Sequence, residues 1–571
     1  MLVLCLLSGG PLGLHITAIH KFIEDHPEVK SKSLTTSQIN SAFIKPETKG
    51  TDHPYIQKCA TKRDKKTEQP LVSSATVFVS HAWRYSFYDI VFDVMEQYAS
   101  KHPDTYFWFD LFTNNQNEIS NKDFDWFSTT FRNTIEEIGQ VLLVLSPWDD
   151  PMPIKRAWCL FEIHNALEGS EVLLNVNLPS KEVGELKAGV IADSECIIKA
   201  LSDIQAEKAE AKNTYERDLI FDVIKKSGGG FPYVNKQIKD GLRKWYISQL
   251  ESLIMQEEKN STLLMHTANV MRSFGFHDSA LLLYNKTLSL RLETLGPDHP
   301  QVAATYTNMA IVYQDRLELE TALEYYHKSL DITLKVLGER HPDVIQCYNN
   351  MANAYYSKGD LDKALQYHHN SLTVRLETLG DKDPAVATAY NNIASVHFAK
   401  DELDTALDYH NKSLAIRLST SGENHPNVAS TYAGMAKVFE KKQEHEKAIE
   451  YYNKSLHIRR DTLGEDHQDV AAVYFSIAAS YQNQKQWNKA LEFYNKSLEI
   501  RLRVLGAGHP AVALCYKNIA IIYREKEQLD KAFQYYNKTV ATIGLHAQAG
   551  KSLKTEPIND ENVKKSRRLS M

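Results

Sequence analysis

Apolar side chains recur at helical spacing through the second half of the chain, in paired stripes separated by short polar breaks. Between residues 342 and 380 the first stripe is Val344, Tyr348, Met351, Ala352 and Tyr355. The second is Leu361, Ala364, Leu365, Leu372 and Leu376. Each stripe occupies one face of a helix. Pro342 suits a first helical turn, where its missing N–H costs nothing. Gly359-Asp360 interrupts the pattern, and Gly380 supplies a stop. The unit is a helical hairpin, and it repeats. Ala280, Ala322, Ala364, Ala406, Ala448, Ala490 and Ala532 are each 42 residues apart, and Gly296 to Gly506 keep the same step. A fixed period of this size predicts a solenoid of stacked units, each burying its apolar face against the next. Seven hairpins are expected over residues 258–544.

Ahead of the repeats the pattern changes. Short apolar runs at 75–80, 106–110, 141–145 and 171–176 alternate with helical stretches at 89–100, 124–137 and 158–168. Strand and helix in alternation predict a parallel sheet with helices on both faces over residues 73–180. Ligands of such sheets sit at the carboxyl ends of the strands. Residues 20–72 are polar and weakly patterned, and no role is assigned to the region 1–72. Residues 181–257 read as a helical connector, with helices at 195–204, 213–226 and 235–254. Gly228-Gly229-Gly230 lacks the following Lys-Ser/Thr and the preceding strand of a phosphate loop, and reads as a turn. Residues 545–571 form a polar tail expected to be disordered. Within it Arg567-Arg568-Leu569-Ser570 has the form of a basophilic-kinase site at Ser570.

At 571 residues the chain exceeds one hydrophobic core. Its net charge of −6 is mild and argues neither for nor against a nucleic-acid footprint; nucleic acid is not expected as a partner. Six scattered cysteines without a CxxC suggest a reduced, cytoplasmic setting and no metal site. No apolar run reaches membrane-spanning length. Met1–Leu7 is apolar and reads as a signal segment or as a first strand or helix.

The period alone sits nearer HEAT or armadillo units than tetratricopeptide repeats. The residues decide otherwise. Asn349-Asn350-Met351-Ala352, then Tyr355, Gly359, Ala364, Tyr367 and Leu379-Gly380 before Pro384, resemble the long tetratricopeptide repeats of kinesin light chains. The resemblance covers half the chain. It implies a superhelix whose concave groove, lined by first helices, binds a peptide segment of a partner protein. It also raises a cargo-adaptor role. The chain departs from motor-associated kinesin light chains in having no heptad pattern before the repeats.

A second resemblance lies in "VFVSHAWR", "YFWFD", "FRNTIEEIGQVLLVLSPW" and "RAWCLFEIHNAL", which look like a TIR domain. It implies a flavodoxin-like α/β fold that self-associates. Some TIR domains cleave NAD at the nicotinamide–ribose bond, through an oxocarbenium-like state. By this resemblance Glu162, in Trp158-Cys159-Leu160-Phe161-Glu162, is the carboxylate that stabilises that charge. Trp158, Arg84 and Asp110 join it as candidate catalytic residues. Arg84, Trp83 and Phe112 are candidates to meet the phosphates and rings of NAD, which enters as a substrate; no resident cofactor is required. The family's glycine is missing from the loop 111–125.

Two readings follow. The first is a signalling scaffold with a peptide-binding groove and a self-associating α/β domain. The second is an NAD-cleaving effector controlled by the repeats. For the groove, Asn308, Asn350, Asn392 and Asn518 occupy one slot on the first helices, where Asn is a poor helix former; their amides are expected to clamp an extended peptide. Lys328, Lys412, Lys454 and Lys496, with Arg375, Arg417, Arg459 and Arg501, form a regular basic row on the second helices. If that row borders the groove, the peptide is acidic.

Overall fold

Val77–Ser80 and Gln140–Val144 have their apolar residues buried on both faces, as central strands of a parallel sheet require. The computed structural model describes residues 10–51, 53–114, 116, 124–168, 172–202, 204–211, 214–226 and 230–552. It divides the chain into two units, residues 1–257 and 258–571. The first unit is built on six strands: β1 (Leu12–His15), β2 (Val72–Ser74), β3 (Val77–Ser80), β4 (Tyr106–Trp108), β5 (Gln140–Val144) and β6 (Leu173–Asn177), in the order β2-β1-β4-β3-β5-β6. β3 runs parallel to β4 and β5, and β5 parallel to β6; β1 is antiparallel to β2 and β4. Phe78 on β3 sits opposite Trp108 on one side and Val141 on the other. The four parallel strands thus run second, first, third, fourth, which is the opening of the flavodoxin-like order. Asp93–Lys101, Phe124–Ile138 and Ala157–Glu168 are the crossover helices.

The N-terminal residues, unassigned from sequence, belong to this fold. β1 and β2 extend the sheet, and Ile19, Phe22, Val29, Ile39, Ile44 and Ile56 are buried in one cluster with Phe87 and Phe112. Ile19 and Phe22 share one face of the ten-residue helix Ile16–Asp25, Ile39 and Ile44 lie in a helical run over 36–48 whose period shifts at a π turn, and Val29 and Ile56 sit in pieces of four and five residues, Glu28–Ser31 and Tyr55–Cys59. Gly13 is needed where β1 meets β4: a Cβ there would lie 2.8 Å from the Tyr106 backbone.

Residues 180–256 also pack onto the sheet unit. Thr214–Lys226 and Gly230–Gln256 lie against Ala157–Glu168, and Gly230–Gln256 also meets β6. Tyr246 donates its hydroxyl to the Trp148 carbonyl at 2.6 Å. The long helix starts at Gly230, earlier than the expected 235; residues 227–229 of the glycine run lie outside the described residues.

The second unit comprises seven helix pairs: Ser261–Ser273 with His277–Leu295, Pro300–Asp315 with Leu319–Leu337, Pro342–Lys358 with Leu361–Leu379, Pro384–Ala399 with Leu403–Ser421, Pro426–Lys441 with His445–Leu463, Gln468–Asn483 with Trp487–Leu505, and Pro510–Glu525 with Leu529–Ser552. We number these hairpins 1 to 7. The residue before each recurrent proline is an N-cap: the rings of His299, His341, His425 and His509 accept the N–H two residues on through Nδ1, at 3.1–3.2 Å. Gly338 follows its helix at φ 78°, a conformation that favours glycine. Ala322, Ala364, Ala406, Ala448 and Ala490 are fully buried where two helices approach closely. The last helix continues to Ser552, into the expected tail; residues 553–571, Ser570 among them, and Met1–Leu7 lie outside the described residues.

Candidate functional site

β3 ends in Ser80, and the crossover helix Ala157–Glu168 brings Glu162 to it. Ser80 donates its hydroxyl to Glu162 Oε2 at 2.5 Å. Glu162 is 9% exposed. Burial pushes its carboxyl up to about 8; the Ser80 hydrogen bond opposes the shift and the charge of Asp110 adds to it. Asp110 lies at the end of β4. Its Oδ2 accepts the Trp83 indole N–H at 2.8 Å, and Oδ1 has no protein partner. Burial lifts Asp110 to about 6. The adjoining loop is held by Gln116, which donates to the Asp110 carbonyl at 2.6 Å and accepts from Asn40 at 3.0 Å. Cys159 donates its thiol to the His81 carbonyl at 3.4 Å, and burial, then Glu162, raise its pKa.

The structure therefore brings Ser80, Glu162, Asp110 and Trp83 together at the strand ends, with two carboxyls in a buried setting. At neutral pH Glu162 holds a proton that it can donate, so action as a carboxylate requires that proton to leave first. The other candidates are placed differently. Phe112 is fully buried among Phe22, Tyr55, Phe87 and Phe109 and is core, not a surface for a ligand ring; this corrects the sequence expectation. Trp158 donates its indole N–H to Glu216 at 3.1 Å and packs on Phe131 and Phe161. Arg84 is exposed and lines a cavity whose walls include neither Ser80, Asp110 nor Glu162. The Trp83–Asp110 bond spans 27 residues and has no signature in the sequence. Among the described residues no group of three or more His, Cys, Asp or Glu side chains is placed to hold a metal ion.

In the repeats, Asn308, Asn350, Asn392 and Asn518 are half-buried. Asn308 and Asn518 donate to the carbonyls four residues back, and Asn350 accepts from Gln346 at 3.0 Å. These bonds stay within their own helices and do not tie hairpins together. Around them runs a stripe of small, uncharged side chains: Gln346, Asn350, Asn353 and Ser357, then Thr388, Asn392, Ser395 and Ala399. The two sets stand one 42-residue period apart on the first helices of hairpins 3 and 4; in hairpin 5, whose first helix packs beside that of hairpin 4, the same slots hold Ser430, Gly434, Lys437 and Lys441.

The basic row divides in two. Lys328, Lys412, Lys454 and Lys496 lie exposed, 4.7–4.9 Å from the centroids of Tyr325, Tyr409, Tyr451 and Phe493. The arginines do not form a binding face. Arg417 and Arg501 are buried and donate to the carbonyls of Asn427 and Ala511 in the following hairpin, and Arg375 donates likewise to Ala385. Arg459 is paired with Asp469 of the following hairpin at 2.6 Å.

Gly434 breaks the asparagine series for a steric reason. A Cβ there would lie 2.6 Å from His410 Cε1, and that ring is fixed by Asn391 at 3.0 Å. Gly434→Asn should destabilise the array by about 1–3 kcal/mol despite the better helix propensity, because the ring must leave its place beside Asn391. A urea melt checks this; unchanged or raised stability would show that the joint is looser than its geometry.

No helix among the described residues is long and apolar enough to cross a membrane. No curated protein sequence matches the chain significantly. Among solved structures, BtubC (BKLC) from P. vanneervenii is 18% identical over 42% of this chain and 96% of its own, with a TM-score of 0.36. The apo form of the quorum sensor NprR from B. thuringiensis is 16% identical over 63% and 97%, with a TM-score of 0.42. The Rap conjugation gene regulator of the plasmid pLS20, in complex with the Phr* peptide, is 17% identical over 67% and 100%, with a TM-score of 0.37. The tetratricopeptide repeat family profile matches residues 260–318, 302–377, 348–419, 385–461, 427–481 and 469–542. The C-terminal half of the chain is an array of tetratricopeptide repeats.

Proposed function

We propose that the chain is a signalling scaffold whose repeats hold an extended segment of a partner polypeptide along the exposed faces of the first helices. One observation carries this reading: the stripe of small, uncharged side chains around Asn350 and Asn392. Amides there offer both donors and acceptors to a peptide backbone, whose own groups need partners once water is displaced. The charge preference of that peptide rests on Lys328 and Lys412 foremost, since Lys454 and Lys496 are paired with Glu450 and Glu492 and the arginines are engaged between hairpins. The α/β unit, with its resemblance to TIR modules, supplies self-association. A peptide selected against the full chain from a random display library should bind about tenfold or more weakly to Asn350→Ala/Asn392→Ala. The melting profile of that variant should be unchanged. Equal affinity for both proteins would move binding off this face.

The Ser80–Glu162–Asp110 cluster favours a second reading, cleavage of NAD to nicotinamide and ADP-ribose. Water would replace nicotinamide on the ribose carbon, and Glu162 would face the positive charge developing there. Release of nicotinamide by the full chain crowded on a surface, abolished in Glu162→Ala, would support the enzyme. No release at any density would leave the scaffold reading alone.

A further inference from the structure

A cavity of the α/β unit lies apart from the Ser80–Glu162–Asp110 cluster and shares with the NAD reading only its candidate Arg84. Its volume is about 360 Å³, within the range of small-molecule sites. It lies beyond the carboxyl ends of β3 and β5, where the order of the parallel strands reverses, the position at which open α/β sheets take ligands. Three distant stretches build it: Arg84 after β3, Asp150 to Arg156 after β5, and Ala200 to Glu210 from the segment read as a connector. Backbone bonds fasten the last two walls. Glu210 N–H donates to the Lys155 carbonyl at 2.8 Å, and Ala157 N–H to the Glu210 carbonyl at 2.9 Å. The cavity is thus formed before any ligand arrives.

Its chemistry is two-sided. Met152, Ile154, Ala200 and Ile204 give it an apolar part. Arg84, Lys155, Arg156 and Lys208 line it together with Asp150 and Glu210. Lys155 is already paired with Asp150 at 2.6 Å. That leaves Arg84, Arg156 and Lys208 against one acid, Glu210. Two guanidinium forks beside one cavity suit an oxyanion that can accept paired hydrogen bonds. The apolar part suits a body attached to that anion.

We infer that this cavity is a binding site for a small phosphorylated molecule with an apolar body, of the nucleoside monophosphate class, separate from the Ser80–Glu162 pair. The phosphate meets Arg84 and Arg156, and the body lies on Met152, Ile154 and Ile204. Calorimetric titration of the full chain with AMP, adenosine and inorganic phosphate tests this. AMP should bind saturably, and both adenosine and phosphate about tenfold or more weakly, because each uses half of the site. Arg84→Ala and Arg156→Ala should each weaken AMP about tenfold, while Arg84→Lys, which keeps the charge and loses the fork, should fall between. An unchanged near-ultraviolet circular dichroism spectrum would certify that the variants fold. The inference fails if AMP does not saturate at millimolar concentration. It also fails if phosphate binds as well as AMP, or if the Arg84→Ala/Arg156→Ala protein binds AMP as the natural chain does.

Discussion

Arg417→Ala should cut the repeat array into two separately unfolding blocks. Arg417 is 5% exposed, near the end of the second helix of hairpin 4. Its Nη1 donates to the Asn427 carbonyl and to Thr431 Oγ1, both at 2.7 Å and both on the first helix of hairpin 5. Truncation removes both bonds across the joint, leaving Thr431 Oγ1 on the Asn427 carbonyl at 3.2 Å, and opens a cavity, at a cost of about 2–4 kcal/mol. In a solenoid each unit is stabilised chiefly by its neighbours, so a loss of that size at one joint uncouples what lies on either side. Hairpins 1–4 and 5–7 should then show different opening free energies in segment-resolved hydrogen exchange. The joint between hairpins 2 and 3 has Thr333 in the arginine slot, its hydroxyl turned back to the Ser329 carbonyl at 2.8 Å. That joint relies on the apolar cluster of Leu330, Val344 and Met351 instead. A single, unshifted transition in Arg417→Ala would mean that apolar packing alone couples hairpins 4 and 5 as well.

Glu162→Gln should stabilise the α/β unit at pH 8 and leave it nearly unchanged near pH 4. The folded state raises this carboxyl from 4.5 to about 8. It therefore binds the proton more tightly than the unfolded chain does. Stability is greatest below pH 4.5 and falls as pH rises toward 8, by a total on the order of 5 kcal/mol. Asp110, raised from 3.8 to about 6, acts in the same direction over its own range. His81 acts in the opposite direction: burial lowers it from 6.5 to about 3, so its contribution is lost as pH falls below 6.5. Glutamine keeps an acceptor for Ser80 and carries no charge, so the variant should melt about 10 °C higher at pH 8. Six of the seven tryptophans lie in residues 1–257, which makes their fluorescence a readout of this unit. Equal melting of the two proteins at pH 8 would place Glu162 in a wetter site than its burial implies.

The repeats were legible because one phrase recurs seven times, so that a departure such as Gly434 in the asparagine slot stands out against the rest. β3 to β6 were legible as apolar runs bounded by turns. The first 72 residues were not, since strands of three and four residues and pieces such as Glu28–Ser31 leave no window for a period, and the π turn at Asn40–Ile44 shifts the period of the run around it. The arginines misled for a related reason. A charge repeated every 42 residues reads as a solvated face, whereas the carbonyls it meets belong to the next hairpin and leave no mark in the sequence. Phe112 misled because proximity to Asp110 along the chain says nothing of direction: the two side chains leave the same short helix, one to the strand ends and the other into the core.

The central claim is that the repeats recognise an extended polypeptide through the neutral faces of their first helices. The most direct measurement is hydrogen exchange of the full chain with and without a selected peptide. The account predicts slowed exchange in the first helices, Pro342–Lys358 and Pro384–Ala399 foremost, with the second helices little changed. Protection confined to the second helices, or to the α/β unit, would contradict it.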